Sequence, residues 1–191
     1  APETFRNCEQ LKTFYIGKAF RGKINYGEEG DPDTLFLYYA PIRLIQIDKE
    51  NTSYQLQNEI LYTRDGHILC QALKNDNADS QLTIPSCVTE IADGAFYRNS
   101  EFGAIEVKGS LERIGISTFA CADVGSFYVK GGVNYLDRGS FYQSAISEWR
   151  CHGGVKKYEK SAFQDVDATN GYAIDMNAIT KLYQELLYVN A

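Results

Sequence analysis

The chain has 191 residues, 44% of them hydrophobic, and carries 25 acidic against 19 basic side chains for a net charge of −6. That length suits one domain with a continuous core, and no apolar run reaches the roughly 18 residues a membrane span needs. No membrane insertion by this segment is therefore expected, and because the basic residues form no dense cluster beyond Lys156-Lys157, neither nucleic acid nor an anionic membrane surface is an expected partner.

From the N-terminus, Phe5 and Leu11 lead into the pair Phe14 and Ile16, two apart as in a strand, followed by Ala19-Phe20. Ile45 and Ile47 repeat that pair after the stretch GEEGDPD from Gly27, where Gly and Asp-Pro favour turns. Residues 1–47 are thus expected as irregular first coils. Residues 48–80 read as an inter-repeat segment, in which EILYT and HILCQ flank Arg64-Asp65-Gly66 and predict a β-hairpin inserted between coils. Asn51-Thr52-Ser53 matches a glycosylation acceptor, meaningful only in a secreted eukaryotic protein. The run Asn75 to Asp79 offers alternating oxygen ligands, yet Ser80 and Ser86 stand where a calcium loop of the EF-hand type needs Gly and Glu, so a polar connection is expected.

From residue 81 the chain repeats. VTEIADGAF from Val88, LERIGISTF from Leu111, VNYLDRGSF from Val133 and VKKYEKSAF from Val155 superpose, with Phe96, Phe119, Phe141 and Phe163 spaced 23, 22 and 22 residues apart. That period marks a solenoid. Before each unit comes an apolar pair two apart: Leu82 and Ile84, Ile105 and Val107, Phe127 and Val129, Trp149 and Cys151. One unit cannot bury these faces alone, whereas stacked units continue every inward row from coil to coil. Residues 81–166 are the regular repeats. Beyond Phe163 the spacing of Ile179, Leu182, Tyr183, Leu186 and Leu187 turns helical, which predicts a capping helix over 174–189 with Asp175 or Asn177 as N-cap.

The strand ending in Ile84-Pro85, the Val88-x-x-Ile91 pair and Ala95-Phe96, together with the segment from Ile47 to Leu69, resemble the BspA-like leucine-rich repeats of bacterial surface proteins. The resemblance runs from about Phe5 to Phe163 and departs at Trp149, Cys151 and Tyr158. It implies a mainly β, right-handed leucine-rich-repeat solenoid of about four regular coils, forming a single domain that reads as either a processed mature form or a piece of a longer protein. It further implies an exported or cell-surface location, with an export signal once preceding Ala1.

Catalytic constellations are sparse, and no enzyme activity, cofactor or metal is expected. His152 adjoins Cys151, but strand neighbours point to opposite faces and cannot form a dyad. The five cysteines lack a CxxC spacing, so they read as unpaired packing residues, with Cys151 in an inward row. Function is expected on the outward strand positions, where Thr83, Glu106, Tyr128 and Arg150 lie on successive coils, flanked by Lys108, Lys130 and His152 on one side and by Gln81, Ala104, Ser126 and Glu148 on the other. Lys12 or Tyr15, and Gln46, are expected to extend this surface. Glu106, Tyr128, Arg150, Lys108, Lys130 and His152 are the candidate ligand-binding residues of a monomeric module that recognises an extracellular protein or glycan. A structural spacer or accessory domain is the alternative, and a hydrolase using scattered carboxylates a further one.

Overall fold

Apolar residues two apart, repeated every 22 or 23 residues, force a strand in each coil and a shared buried row between coils. A computed structural model describes residues 5, 8–26, 34–37, 40–73, 80–99 and 102–166. In it β8 (Ser80–Ile84), β10 (Phe102–Val107), β12 (Asp123–Val129) and β14 (Ala145–Cys151) form a parallel sheet in the order β14-β12-β10-β8. The register places Leu82, Ile105, Phe127 and Trp149 side by side, and Ile84, Val107, Val129 and Cys151 beside them.

Each coil holds a second strand that the residue pattern did not disclose. The V-x-x-I segments are β9 (Glu90–Ile91), β11 (Leu111–Ile114), β13 (Val133–Leu136) and β15 (Val155–Tyr158), which pair in parallel as one end of a seven-stranded sheet. Its other members are β7 (Ile68–Ala72), β6 (Ile60–Thr63) and β5 (Tyr54–Gln57). The molecule is therefore a β-solenoid of about four turns whose core lies between two sheets.

The stretch around Arg64-Asp65-Gly66 corrects the inserted-hairpin expectation. β6 and β7 do run antiparallel, but β5 adds to β6, and β7 pairs in parallel with β9, so the segment continues the second sheet instead of standing apart from the coils. β6 is buried throughout, as a strand inside a sheet must be. Ahead of it, β1 (Thr13–Ile16) pairs in parallel with β4 (Leu44–Ile47), and β2 (Lys23–Ile24) with β3 (Thr34–Leu35). Ile16, Ile24, Leu37, Ile45, Tyr54 and Leu61 build a second core beneath them. No α-helix occurs among the described residues. The predicted helix over 174–189, the GEEGDPD stretch and the Asn75–Asp79 run lie outside them.

Stacked aromatic rings run along the solenoid. Phe96 and Phe119 lie 4.7 Å apart at 13°, Phe119 and Phe141 5.0 Å apart at 5°, and Phe141 and Phe163 5.1 Å apart at 4°. The spacing follows from the strands: equivalent positions on hydrogen-bonded coils sit near 4.8 Å apart, which suits ring stacking. A parallel column pairs Phe127 with Trp149 at 5.0 Å and 15°. Trp149 is buried, and among the described residues its indole N–H has no hydrogen-bond partner.

Two residues after each Phe the backbone turns through left-handed φ, at Arg98 (53°), Cys121 (55°), Gln143 (50°) and Asp165 (56°). The turn keeps its hydrogen bonds between coils, with the amides of Phe96, Phe119 and Phe141 donating to the carbonyls of Thr118, Ser140 and Ala162 at 2.8, 2.7 and 2.8 Å. At the corner after the first strand, coils approach so closely that a Cβ on Gly153 would lie 2.7 Å from the Gly132 nitrogen and one on Gly131 2.8 Å from the Gly109 oxygen.

Asn51 shows how a surface-type motif is absorbed into this frame. It is fully buried, and its Nδ2 donates to the carbonyls of Gly17 (2.8 Å) and Phe20 (3.2 Å) while Oδ1 accepts from the amides of Ser53 (2.9 Å) and Tyr54 (3.0 Å). The acceptor motif at 51–53 is thus closed in the folded chain.

All five cysteines are unpaired: Cys70 is buried, Cys8, Cys121 and Cys151 are half-buried, and Cys87 is exposed. Burial pushes the Cys70 thiol well up, which suppresses its reactive thiolate. Titration with a chromogenic disulfide reagent is expected to count five thiols in denatured, unreduced protein, with Cys87 reacting first and Cys70 last in the native state. A count below five would reveal a disulfide.

Candidate functional site

The outward positions of the four-stranded sheet converge as a ladder. Thr83, Glu106, Tyr128 and Arg150 are register partners on β8, β10, β12 and β14. Lys108, Lys130 and His152 each follow one of these strands and are tied to the preceding coil, their amides donating at 3.0 Å to the carbonyls of Ile84, Val107 and Val129.

The six candidate residues divide into two groups. Glu106 Oε1 lies 3.2 Å from Lys130 Nζ, and its other oxygen accepts from Lys108. Hydrogen bonds from these two lysines hold the Glu106 carboxyl below its ordinary range, and the bond to Glu106 in turn raises the Lys130 ammonium. Beyond this triad, Tyr128, Arg150 and His152 line a shallow groove with Ser126 and Glu148. Arg150 is paired with Glu148 along its own strand. Among the described residues no hydrogen bond or ion pair joins Glu106, Tyr128 and Arg150 to one another. The charges find other partners, and among the described residues the side chains of Ser126, Tyr128 and His152 make no hydrogen bond.

The groove floor is small by construction. Ser126 is the smallest side chain lining it, and just before it a Cβ on Gly125 would lie 2.3 Å from the Gly103 oxygen of the neighbouring coil. Glu106, Tyr128 and Arg150 sit on rigid strands, so little ordering is required to present them. Tyr15 and Gln46 do not extend this surface. They are register partners in the separate β1–β4 sheet, where the Tyr15 hydroxyl donates to Asp48 Oδ2 at 2.9 Å.

A charged row on the other sheet escaped the sequence reading. Glu90, Arg113, Tyr135 and Lys157 are register partners on β9, β11, β13 and β15. Arg113 donates from Nη1 to Glu90 Oε1 at 2.9 Å, and from Nη2 to Asp93 Oδ1 at 2.6 Å and Asp137 Oδ2 at 2.9 Å. Burial opposes the guanidinium's charge, but the Asp93 and Glu90 carboxylates outweigh it and raise its pKa. Asp93, its side chain only 6% exposed, is pushed up by burial, with Arg113 pulling the other way. Farther along, the Tyr135 hydroxyl donates to Glu159 at 2.6 Å and is pushed up to about 12, while Lys157 sits 5.1 Å over its ring. The signal was present in the two residues between each V and I. It was masked because apolar positions three apart do not read as a strand. Among the described residues no group of three or more His, Cys, Asp or Glu is placed to hold a metal.

The model of the BspA-type leucine-rich repeat region matches residues 66–170 in six copies, more than half of the chain. The chain belongs to the BspA-type leucine-rich-repeat family. Two solved structures are similar to the chain, and the first of them shares its fold. The pneumococcal vaccine antigen PcpA is 15% identical, with a TM-score of 0.57 over 79% of this chain and 46% of its own. A leucine-rich repeat protein from Eubacterium ventriosum is 13% identical, with a TM-score of 0.35 over 81% of this chain and 59% of its own. This BspA-type chain thus spans less than two thirds of either protein. No curated protein sequence matches it.

Proposed function

We propose that this domain is a non-enzymatic binding module of an exported or cell-surface protein, acting as a monomer through the outward face of its four-stranded sheet. The observation that carries the reading is the groove at Tyr128, where neutral hydrogen-bonding groups stand uncommitted beside the Arg150–Glu148 pair on a rigid sheet. Tyr and Arg are the side chains that recognition surfaces favour, because they combine contact area with directed bonds. Membership of a repeat family, and likeness to a pneumococcal vaccine antigen, support the surface location. A spacer role is the second reading. It is favoured by one observation: Glu106, Lys108, Lys130 and Arg150 already have partners within the domain.

Replacing Tyr128 and Arg150 together by Ala separates the two. Partner capture from a panel of purified extracellular proteins and glycans is expected to be abolished, with the melting temperature shifted by no more than about 4 °C, since each surface substitution usually changes stability by within about 0.5 kcal/mol. Undiminished capture by the double variant would return the domain to the spacer reading.

A further inference from the structure

We infer that the groove beside Tyr128 takes a neutral saccharide unit of a glycan, an inference that rests on the binding reading of this face. Three properties of the face select that chemistry. The first is charge. Lys108 and Lys130 share Glu106, and Arg150 is held by Glu148, so these three cations and two carboxylates leave a single excess positive charge. A polyanion such as a sulfated glycan would have to break those pairs and approach a chain of net charge −6.

The second is the lack of an apolar anchor. Protein interfaces are organised around a dry apolar centre with aromatic hot spots. Among the described residues the exposed large hydrophobic side chains are Tyr15, Leu44 and Leu56, none of which lies on this sheet. Of the groove's lining, Phe127 is buried in the core and Cys151 half-buried, so what remains is the half-buried phenol ring of Tyr128 and polar side chains.

The third is the kind of polar group available. Ser126 and Tyr128 supply hydroxyls and His152 an imidazole, all without hydrogen bonds among the described residues. The Glu148 carboxylate and Arg150 guanidinium supply an acceptor and a fork of donors side by side. A pyranose presents the complement: hydroxyls around its rim to bridge that pair, and an apolar C–H face to lie on the Tyr128 ring. Ser126, the smallest side chain of the lining, leaves room for a ring to enter.

The test is isothermal titration calorimetry of the full chain with maltohexaose, cellohexaose and chitohexaose as neutral probes, heparin as a polyanion and laminin as a protein. Binding of at least one neutral oligosaccharide is expected. It should be weakened at least about tenfold, equivalent to about 1.4 kcal/mol, by Tyr128→Ala and by Glu148→Gln, with unchanged melting. It should also be insensitive to salt between about 0.05 and 0.5 M, where screening removes long-range charge attraction. The inference is overturned if none of the neutral oligosaccharides binds, if heparin alone binds with steep salt dependence, or if Tyr128→Ala and Glu148→Gln leave saccharide binding intact. Binding of laminin alone, lost in the Tyr128→Ala/Arg150→Ala variant, would sink the saccharide inference and leave the binding reading standing. Equal capture of every probe by that variant and the parent chain would sink both.

Discussion

Phe119→Ala is expected to lower the unfolding free energy by about 3–5 kcal/mol, the range for removing a fully buried aromatic and leaving a cavity. The ring is fully buried, stacked on both faces by Phe96 and Phe141 and met edge-on by Phe127 at 5.0 Å. Neighbouring coils cannot close the gap, because strand hydrogen bonds fix their spacing on both sides. The position in the array adds to the effect. Coils in a solenoid contact chiefly their neighbours, so a defect in a middle coil weakens two interfaces at once. Phe163, half-buried and stacked on Phe141, should cost less when truncated. Urea denaturation of the two variants checks this, and a loss below about 1 kcal/mol for Phe119→Ala would mean that the stack contributes little beyond shape.

Arg113→Met is expected to cost about 3–5 kcal/mol near neutral pH, the penalty for leaving a buried charge without its partner. The stranded group is Asp93, whose Oδ1 also accepts the Ile116 amide at 2.9 Å. The sign of the pH dependence follows from burial. Asp93 is already raised above the ordinary 3.8 in the folded chain, and removing Arg113 deletes the influence that opposes the rise. A carboxyl raised in the folded state stabilises the fold below its unfolded pKa, and that stability is lost as pH climbs through the folded value. The variant's deficit should therefore be largest at about pH 7 and shrink as the pH is lowered toward about 4, where Asp93 takes up a proton. Urea midpoints for variant and parent chain across that interval provide the measurement. A deficit independent of pH would show that Asp93 is not the group left uncompensated.

The coil architecture was legible because its determinants are local and repeated. Phe96, Phe119 and Phe141 recur with the period, and all three are fully buried in the structure. The outward ladder Thr83, Glu106, Tyr128, Arg150 followed from the same alternation, and its register is as the pattern implied. Three features did not follow. Leu111 and Ile114 are both inward although three apart, so β11 hid behind a spacing foreign to strands, and Arg113 hid with it. The β6–β7 turn was visible in Asp65-Gly66, but not the parallel pairing of β7 with β9 that merges it into the sheet, because such pairing is non-local. Ion-pair choice was equally hidden. Glu106 reaches lysines that follow its own strand and the next one, so side-chain reach and not register decided which charges remained available.

Trp149 gives the solenoid a built-in optical reporter at one defined coil. It is the chain's single tryptophan, buried, stacked on Phe127, and edge-on to Phe141 at 5.0 Å and Phe163 at 5.7 Å. An indole shielded from water, with no partner for its N–H among the described residues, emits toward the blue, and its colour therefore follows the packing of this coil against its neighbours. Backbone dichroism averages over all the sheets. The difference between the two signals separates the opening of the β14 coil from the melting of the whole array, without a label or a substitution.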